Sequence, residues 1–483
     1  MSADNTQGPS HEAMQKIIFA EDSAMATNLI KVRDDQDPIG FAPTDANGRE
    51  LTFSLLKGKS SSWFSGNTFT ISELRNRVEP WLTSLFQSEH LSLLAGSGLT
   101  TAIQFESVGN ANNGMGNPLL KTTYADSIIA AVSESAKKTS RGDANIEDYI
   151  RVMNDLLRGL QILQETDEYE NLMNELNSII RNFSQNISVI ENQIATAADD
   201  KRVMAFNKLV MFLMSFASRT GTRDRLNIFT TNYDRLIEVG AELAGLHLLD
   251  RFVGTISPIF RSSRLDLDMH YNPPGIRGEP RYLEGVARFT KLHGSIDWIN
   301  SKNNIRKIGF PFGATDINPY LSAPGISVDA ANIMIYPNSS KDRETAEYPY
   351  VELFRDFASA ICRPNSTLVT YGYSFGDDHI NRIIRDMLTI PSTHLVIISF
   401  DDKTRRIIQN YDEIGHSTQI SLLIGADIAG ITPLTTHFLP RPSIDRTTIR
   451  MAELLKQRYS DTVPRSEKPQ PVVELTSERE GIT

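Results

Sequence analysis

Several short apolar runs in this chain share one design. Each is strand-length, ends on glycine or a small polar residue, and most hand over to an amphipathic helix. Leu91, Leu93 and Leu94 run into Gly96 and Gly98, and residues 227–231 run into Asn232. Residues 286–292 end at His293, 367–371 end at Gly372, and 394–400 and 420–424 follow with helices between them. Unbroken apolar runs mark strands buried on both faces, and strands separated by helices pair in parallel. The expected fold class is α/β, a Rossmann-like parallel sheet covered by helices. A further short strand is expected at 333–336, and helices at 233–244, 350–362, 379–388 and 403–410.

The middle of the chain has helical rather than strand periodicity. Ile146, Tyr149, Ile150, Met153, Leu157 and Leu160 mark a helix over 146–163. Leu172, Leu176, Ile179, Phe183 and Ile187 mark a second over 168–196, and a Met-rich run marks a third over 201–218. The second has spacing that suits a coiled-coil seam, but a bundle packing on itself is the commoner solution. These helices are expected to form an all-helical insertion at about 145–220 in a core spanning 66–430. Upstream, Thr70-Ile-Ser-Glu73 is a capping box opening a helix that Pro80 should bend. Residues 1–65 are expected to be a partly disordered N-terminal region, and 431–483 a C-terminal helix with a disordered tail.

Composition narrows the function classes. The 483 residues carry 49 Lys and Arg against 59 Asp and Glu, a net charge of −10, which disfavours a broad nucleic-acid grip. The single cysteine, Cys362, excludes an intrachain disulfide and any zinc site with two or more Cys ligands. No apolar run reaches membrane-spanning length and no secretory signal is visible, so a cytoplasmic location is expected.

Four strand ends carry candidate chemistry. Ala95-Gly96-Ser97-Gly98-Leu99-Thr100 is either a structural turn or a phosphate loop, since glycine admits close backbone approach. The alternative Gly58-Lys59-Ser60 fails as a P-loop because Phe53 stands where its first glycine belongs. Asn232 and Asp234 can bind ribose hydroxyls, or Asn232 or Asp234 can cap the next helix. His293 is a hydrogen-bonding structural residue or a general base. Gly372, Tyr373 and Ser374 form the fourth end, with Asp377 as the cap of the helix after it. Asp266, Asp268 and His270 alternate as chelators would, but a solvated loop is the expected reading. Four such ends in one sheet converge on one cleft.

Taken in order, GSGLT, TTNYD, LHGS and GYS resemble the loops of the sirtuin superfamily, and VIISFDD stands where that family has a strand contacting adenosine. The GYSFGDDHIN form resembles the bacterial sirtuin-like branch of antiviral defence, including Thoeris-type effectors and the sirtuin-like partner of HerA-type ATPases. The resemblance implies that Ala95, Gly96, Ser97, Gly98 and Leu99 form the pyrophosphate loop. It implies that Thr231, Asp234, Gly372, Tyr373 and Ser374 also bind the nucleotide. Asn232 and His293 would be catalytic, the first also binding the nicotinamide ribose and orienting the water or the scissile bond, the second acting as base. Three features depart from the family, the first being Ser97 in place of the usual alanine, which loop geometry should tolerate. The four-cysteine zinc ribbon of the protein-deacylating members is absent, and Ile103-Gln104-Phe105 stands where a PDFR-like segment belongs.

The resemblance therefore implies an NAD+ glycohydrolase, with NAD+ as substrate and no metal, releasing nicotinamide and ADP-ribose in an antiphage defence system. The alternatives are a non-catalytic NAD or ADP-ribose-binding scaffold and an NAD-dependent protein deacylase. Such a hydrolase would poison its own cell unless gated. A homo-oligomer and a HerA-type hexameric ATPase are the expected partners, with Met204, Met211 and Met214 as adaptable packing material.

Overall fold

The computed structural model describes residues 28–44, 50–56, 63, 66–111, 116–138, 144–219, 223–266, 268–271, 281–301, 304–322, 328, 333–335 and 348–441. The expected terminal disorder and Gly58-Lys59-Ser60 lie outside the described residues.

One large sheet dominates. Its strands are β1 (Asn28–Lys31), β2 (Ile39–Pro43), β3 (Thr52–Leu55), β4 (Thr68–Thr70), β5 (His90–Ala95), β6 (Asn227–Thr230), β7 (His247–Leu249), β8 (Val286–Lys291), β9 (Ser366–Tyr371), β10 (His394–Ser399) and β11 (Ile420–Ile424). They lie in the order β4-β3-β2-β1-β11-β10-β9-β5-β6-β8-β7. The seven from β11 to β7 are mutually parallel. Strands β5, β6 and β9 are buried along almost their whole length, as their apolar runs require.

The N-terminal region, unassigned from sequence, extends this sheet. Strand β1 pairs antiparallel with β11, and β2, β3 and β4 follow as a meander. Phe41, Phe53 and Phe69 hold the meander down, fully buried with ring centroids 5.1–5.6 Å apart. Each such buried ring contributes about 1.5–3 kcal/mol over its exposed state.

Helices cover both faces. On one lie α1 (Ile71–Phe86), α2 (Ser97–Val108), and two helices before and after β6, numbered below. The Thr70–Glu73 capping box forms as expected, and the helix continues through Pro80. Between α2 and β6 come α3 (Ala125–Lys138), α4 (Ile146–Leu163), α5 (Thr166–Ala195) and α6 (Asp199–Ala217), and after β6 comes α7 (Leu236–Ala244). The opposite face carries α8 (Tyr350–Ile361), α9 (Asp378–Leu388) and α10 (Arg406–Ile414).

The insertion differs in membership from the expected 145–220. Helices α3, α4 and α5 share a core of their own, including Val132, Met153, Leu172 and Phe183. Helix α6 instead packs on α2 and α7, and its Leu209, Phe212 and Phe216 belong to the sheet core. The reason is its burial: a Met-rich helix with apolar residues on most sides suits the inside of a sheet layer. Helix α3, missed from sequence, takes its place in the bundle.

The expected strand at 333–336 forms as Ile333–Ile335 but joins a second, five-stranded sheet, pairing antiparallel with Gly294–Ser301. The Gly294–Ser301 strand of that sheet follows His293 directly. Beyond 430, the described chain turns helically over Ile431–Pro433 and Leu434–Phe438. No helix among the described residues is long and apolar enough to cross a membrane.

Candidate nucleotide cleft

Strand β5 has β6 on one side and β9 on the other, so the chain's progression through the sheet reverses there. In open α/β sheets the crevice at such a reversal, at the carboxyl ends of the strands, is where ligands bind. A cavity of about 470 Å³ opens there, within the usual range for small-molecule sites.

Its floor is a backbone crossing. The Gly96 amide donates to the Tyr371 carbonyl at 2.9 Å, and the Gly98 amide donates to the Gly372 carbonyl at 3.0 Å. A Cβ on Gly96 would stand 2.5 Å from the Gly372 oxygen, and one on Gly98 would stand 2.6 Å from the Gly372 Cα. Gly372 itself has φ +59°, a left-handed conformation. The glycines are thus required by the crossing of two loops, whatever ligand lies above. Gly96 and Ser97 line the cavity, whereas Gly98 and Gly372 do not. Ala95 and Leu99 are fully buried in the core, so neither side chain reaches the cleft.

The second strand end is tied to the first through Thr100. The Asn232 side-chain amide donates to the Gly96 carbonyl and to Thr100 Oγ1, both at 3.0 Å. Thr100 Oγ1 in turn donates to Asp234 at 2.7 Å. The other Asp234 oxygen accepts from the Leu236 amide at 3.0 Å, the helix-end role expected as the alternative. Thr231, Asn232, Tyr233 and Asp234 all line the cavity. The loop motif gives Thr100 no legible role; its hydroxyl, together with the direct Asn232–Gly96 bond, joins the two loops.

His293 lines the same cavity, and its Nε2 lies 2.9 Å from Asp377. The other Asp377 oxygen accepts from the His379 and Ile380 amides, so this carboxylate both caps α9 and holds the imidazole. Burial alone would raise the Asp377 carboxyl. The hydrogen bond and charge of His293, with the Ile380 amide, instead hold it well below the usual carboxylate range. Tyr373 and Ser374 also line the cavity, and the Tyr373 hydroxyl donates to Asn381 at 3.1 Å.

Two walls carry residues that were not among the candidates. The insertion supplies Asn145 and Glu147 from the start of α4, and Phe183, Ile187 and Ile190 from α5. The loop after β10 supplies Thr404 and Arg406. A sequence signal existed for the second, because VIISFDD is another strand end of the same kind. None existed for the first, since helical period says nothing of which loop a helix end will face.

Of Asp266, Asp268 and His270, the Asp266 side chain lies outside the described residues, and Asp268 is paired rather than solvated. Its carboxylate accepts from the Arg225 guanidinium, from Arg288 at 3.1 Å and from the Met269 amide at 2.7 Å. Among the described residues no group of three His, Cys, Asp or Glu could hold a metal ion.

Residues 226–416 match the family model of the SIR2-like domain, a span that contains the TTNYD, LHGS and GYS loops. The match supports a sirtuin-like family member and is compatible with NAD-related activity. No curated protein matches the chain.

Proposed function

We propose that the cleft hydrolyses NAD+ to nicotinamide and ADP-ribose. The observation that carries this reading is the convergence of Asn232, Asp234 and the His293–Asp377 pair on one cavity at the sheet's reversal point. The bond to be broken joins ribose C1′ to a cationic pyridinium nitrogen. Its electron pair leaves with nicotinamide, neutralising that ring, and positive charge moves onto the ribose. Water adds to C1′ and gives up a proton. Asp377, 2.9 Å from Nε2, orients the His293 imidazole, which takes the proton from water. Asn232 and Asp234 hold the ribose in line for that attack.

In this reading the chain acts in the bacterial cytoplasm, depletes NAD+ during phage infection, and stays quiet until it assembles with itself or with a HerA-type hexameric ATPase. Support for control by assembly is limited to α6, where Met204 and Met211 are 49% and 42% exposed. Met214 is core, so the expected stripe is divided. Light scattering on the full chain, with and without such an ATPase, tests assembly.

The decisive experiment follows nicotinamide release from NAD+ by the purified full-length chain, alone and with candidate partners. Release that falls at least about 100-fold in His293→Ala supports the assignment. No release under any activating condition overturns hydrolysis.

A further inference from the structure

Three carboxylates line the cavity, Glu147, Asp234 and Asp377. Two of them also hold the fold together. Asp377 caps α9 and grips His293, and Asp234 caps α7 and binds Thr100. Glu147 does neither. It sits in the first turn of α4, an end fixed by the reciprocal Asn145–Asp148 capping box. Its Oε1 accepts from the Tyr233 hydroxyl at 2.9 Å.

Tyr233 makes this a placed group rather than a passing one. It lies between Asn232 and Asp234, is 5% exposed, and its ring centroid stands 6.3 Å from that of His293. Phe183 packs edge-on against it at 5.5 Å. Its carbonyl accepts from Ser295 Oγ and the Ile296 amide, both at 3.1 Å, and Lys291 approaches at 3.4 Å. The insertion thus delivers a negative charge beside the loop that carries Asn232. Phe183, Ile187 and Ile190 make that part of the wall apolar, which strengthens any charge interaction there.

We propose that Glu147 recognises the cationic nicotinamide-riboside end of the substrate, and so selects NAD+ over the uncharged dihydropyridine of NADH. This rests on the reading of the cleft as an NAD+ hydrolase and names its specificity-determining residue. The two dinucleotides have nearly the same shape and differ by one positive charge at the nicotinamide ring. A carboxylate at that end favours the charged ligand in the ground state and the developing ribose cation during bond breaking.

The test measures NAD+ and NADH affinity by calorimetry on the full-length chain, in a His293→Ala background that suppresses turnover. With Glu147 intact, NAD+ should bind about tenfold more tightly than NADH. Glu147→Gln keeps an acceptor for Tyr233 and removes only the charge, so the ratio should fall towards one with NADH affinity unchanged. Glu147→Asp should restore part of it. An unchanged ratio in Glu147→Gln, or no preference in the parent, overturns the proposal. Discrimination that depends on Glu147 in a chain that never releases nicotinamide would refute hydrolysis while leaving this assignment standing. Nicotinamide release with a ratio indifferent to Glu147 would refute the assignment alone. A chain that binds neither dinucleotide refutes both.

Discussion

Glu191 of α5 and Arg235 of the TTNYDR loop form a buried ion pair, with 2.5 Å between Oε2 and the guanidinium nitrogen. Glu191 Oε1 also accepts from the Arg235 backbone amide at 2.7 Å. The same guanidinium donates to the Phe310 and Pro311 carbonyls and lies 3.7 Å from the Phe310 ring centroid. The insertion is therefore bolted to the loop bearing Asn232 and Asp234. Glu191→Gln leaves a charged guanidinium buried without its counter-ion, at a cost of about 3–5 kcal/mol. Urea unfolding should show that loss, and NAD+ affinity should fall with it because the loop loses its brace. A variant as stable as the parent would mean that water or backbone acceptors satisfy Arg235.

The crossing of Gly98 and Gly372 makes a second, opposite pair of predictions. An alanine at either position places its Cβ 2.6 Å from the other glycine's Cα, a distance no side-chain adjustment relieves. Gly98→Ala and Gly372→Ala should both lower the thermal midpoint and abolish nucleotide binding. Gly159 sits inside α4 with open space around its Cα. Gly159→Ala should stabilise the chain by about 0.5–1 kcal/mol. Thermal scans of the three variants decide it, and an innocuous Gly98→Ala would contradict the crossing.

What the sequence disclosed follows from where the information sits. The strand ends are local events, an apolar run stopping at a glycine or polar residue, so β5, β6, β8, β9 and the loops after them are legible. The convergence of those ends follows from parallel pairing alone. Which residues face the cleft from elsewhere is a tertiary matter. Glu147 is one more exposed-looking acid in a helical first turn, and only the packing of α4 and α5 brings it to Tyr233. Similarly, Leu99 sits in the glycine loop that resembles a phosphate loop, but helix α2 turns its side chain into the core. The meander of β1 to β4 escaped because its strands are three to five residues long and separated by polar turns.

The His293–Asp377 pair predicts a separation of rate from binding. Asp377→Asn keeps an oxygen for the α9 cap but turns a donor towards His293. The imidazole then loses the carboxylate that orients it as a base. The rate constant kcat for nicotinamide release should fall about 10²–10⁴-fold with KM little changed. The pair also has a pH signature. The folded state holds the Asp377 carboxyl below its ordinary 3.8, so its stabilisation is present above that pH and is lost on further acidification. Steady-state kinetics at neutral pH are the check, and equal loss through KM would recast Asp377 as a binding residue.

Asp402 works in the other direction. It lies in the loop that carries Thr404 and Arg406 into the cleft, is 4% exposed, and accepts from the Ile407 and Ile408 amides at 3.1 and 3.0 Å. Burial outweighs those bonds and pushes its carboxyl up to about 6, from an ordinary 3.8. The folded chain therefore binds this proton more tightly than the unfolded chain does, and the ionised form opposes folding. Asp402→Asn mimics the protonated group at every pH. The variant's thermal midpoint, taken relative to the parent, should rise as pH increases from about 4 to about 6 and level off above that. Comparing the two proteins cancels the titration of all other groups. A difference that is flat across this window, or that falls with pH, would show that the two amides keep Asp402 ionised and that this loop needs the charge.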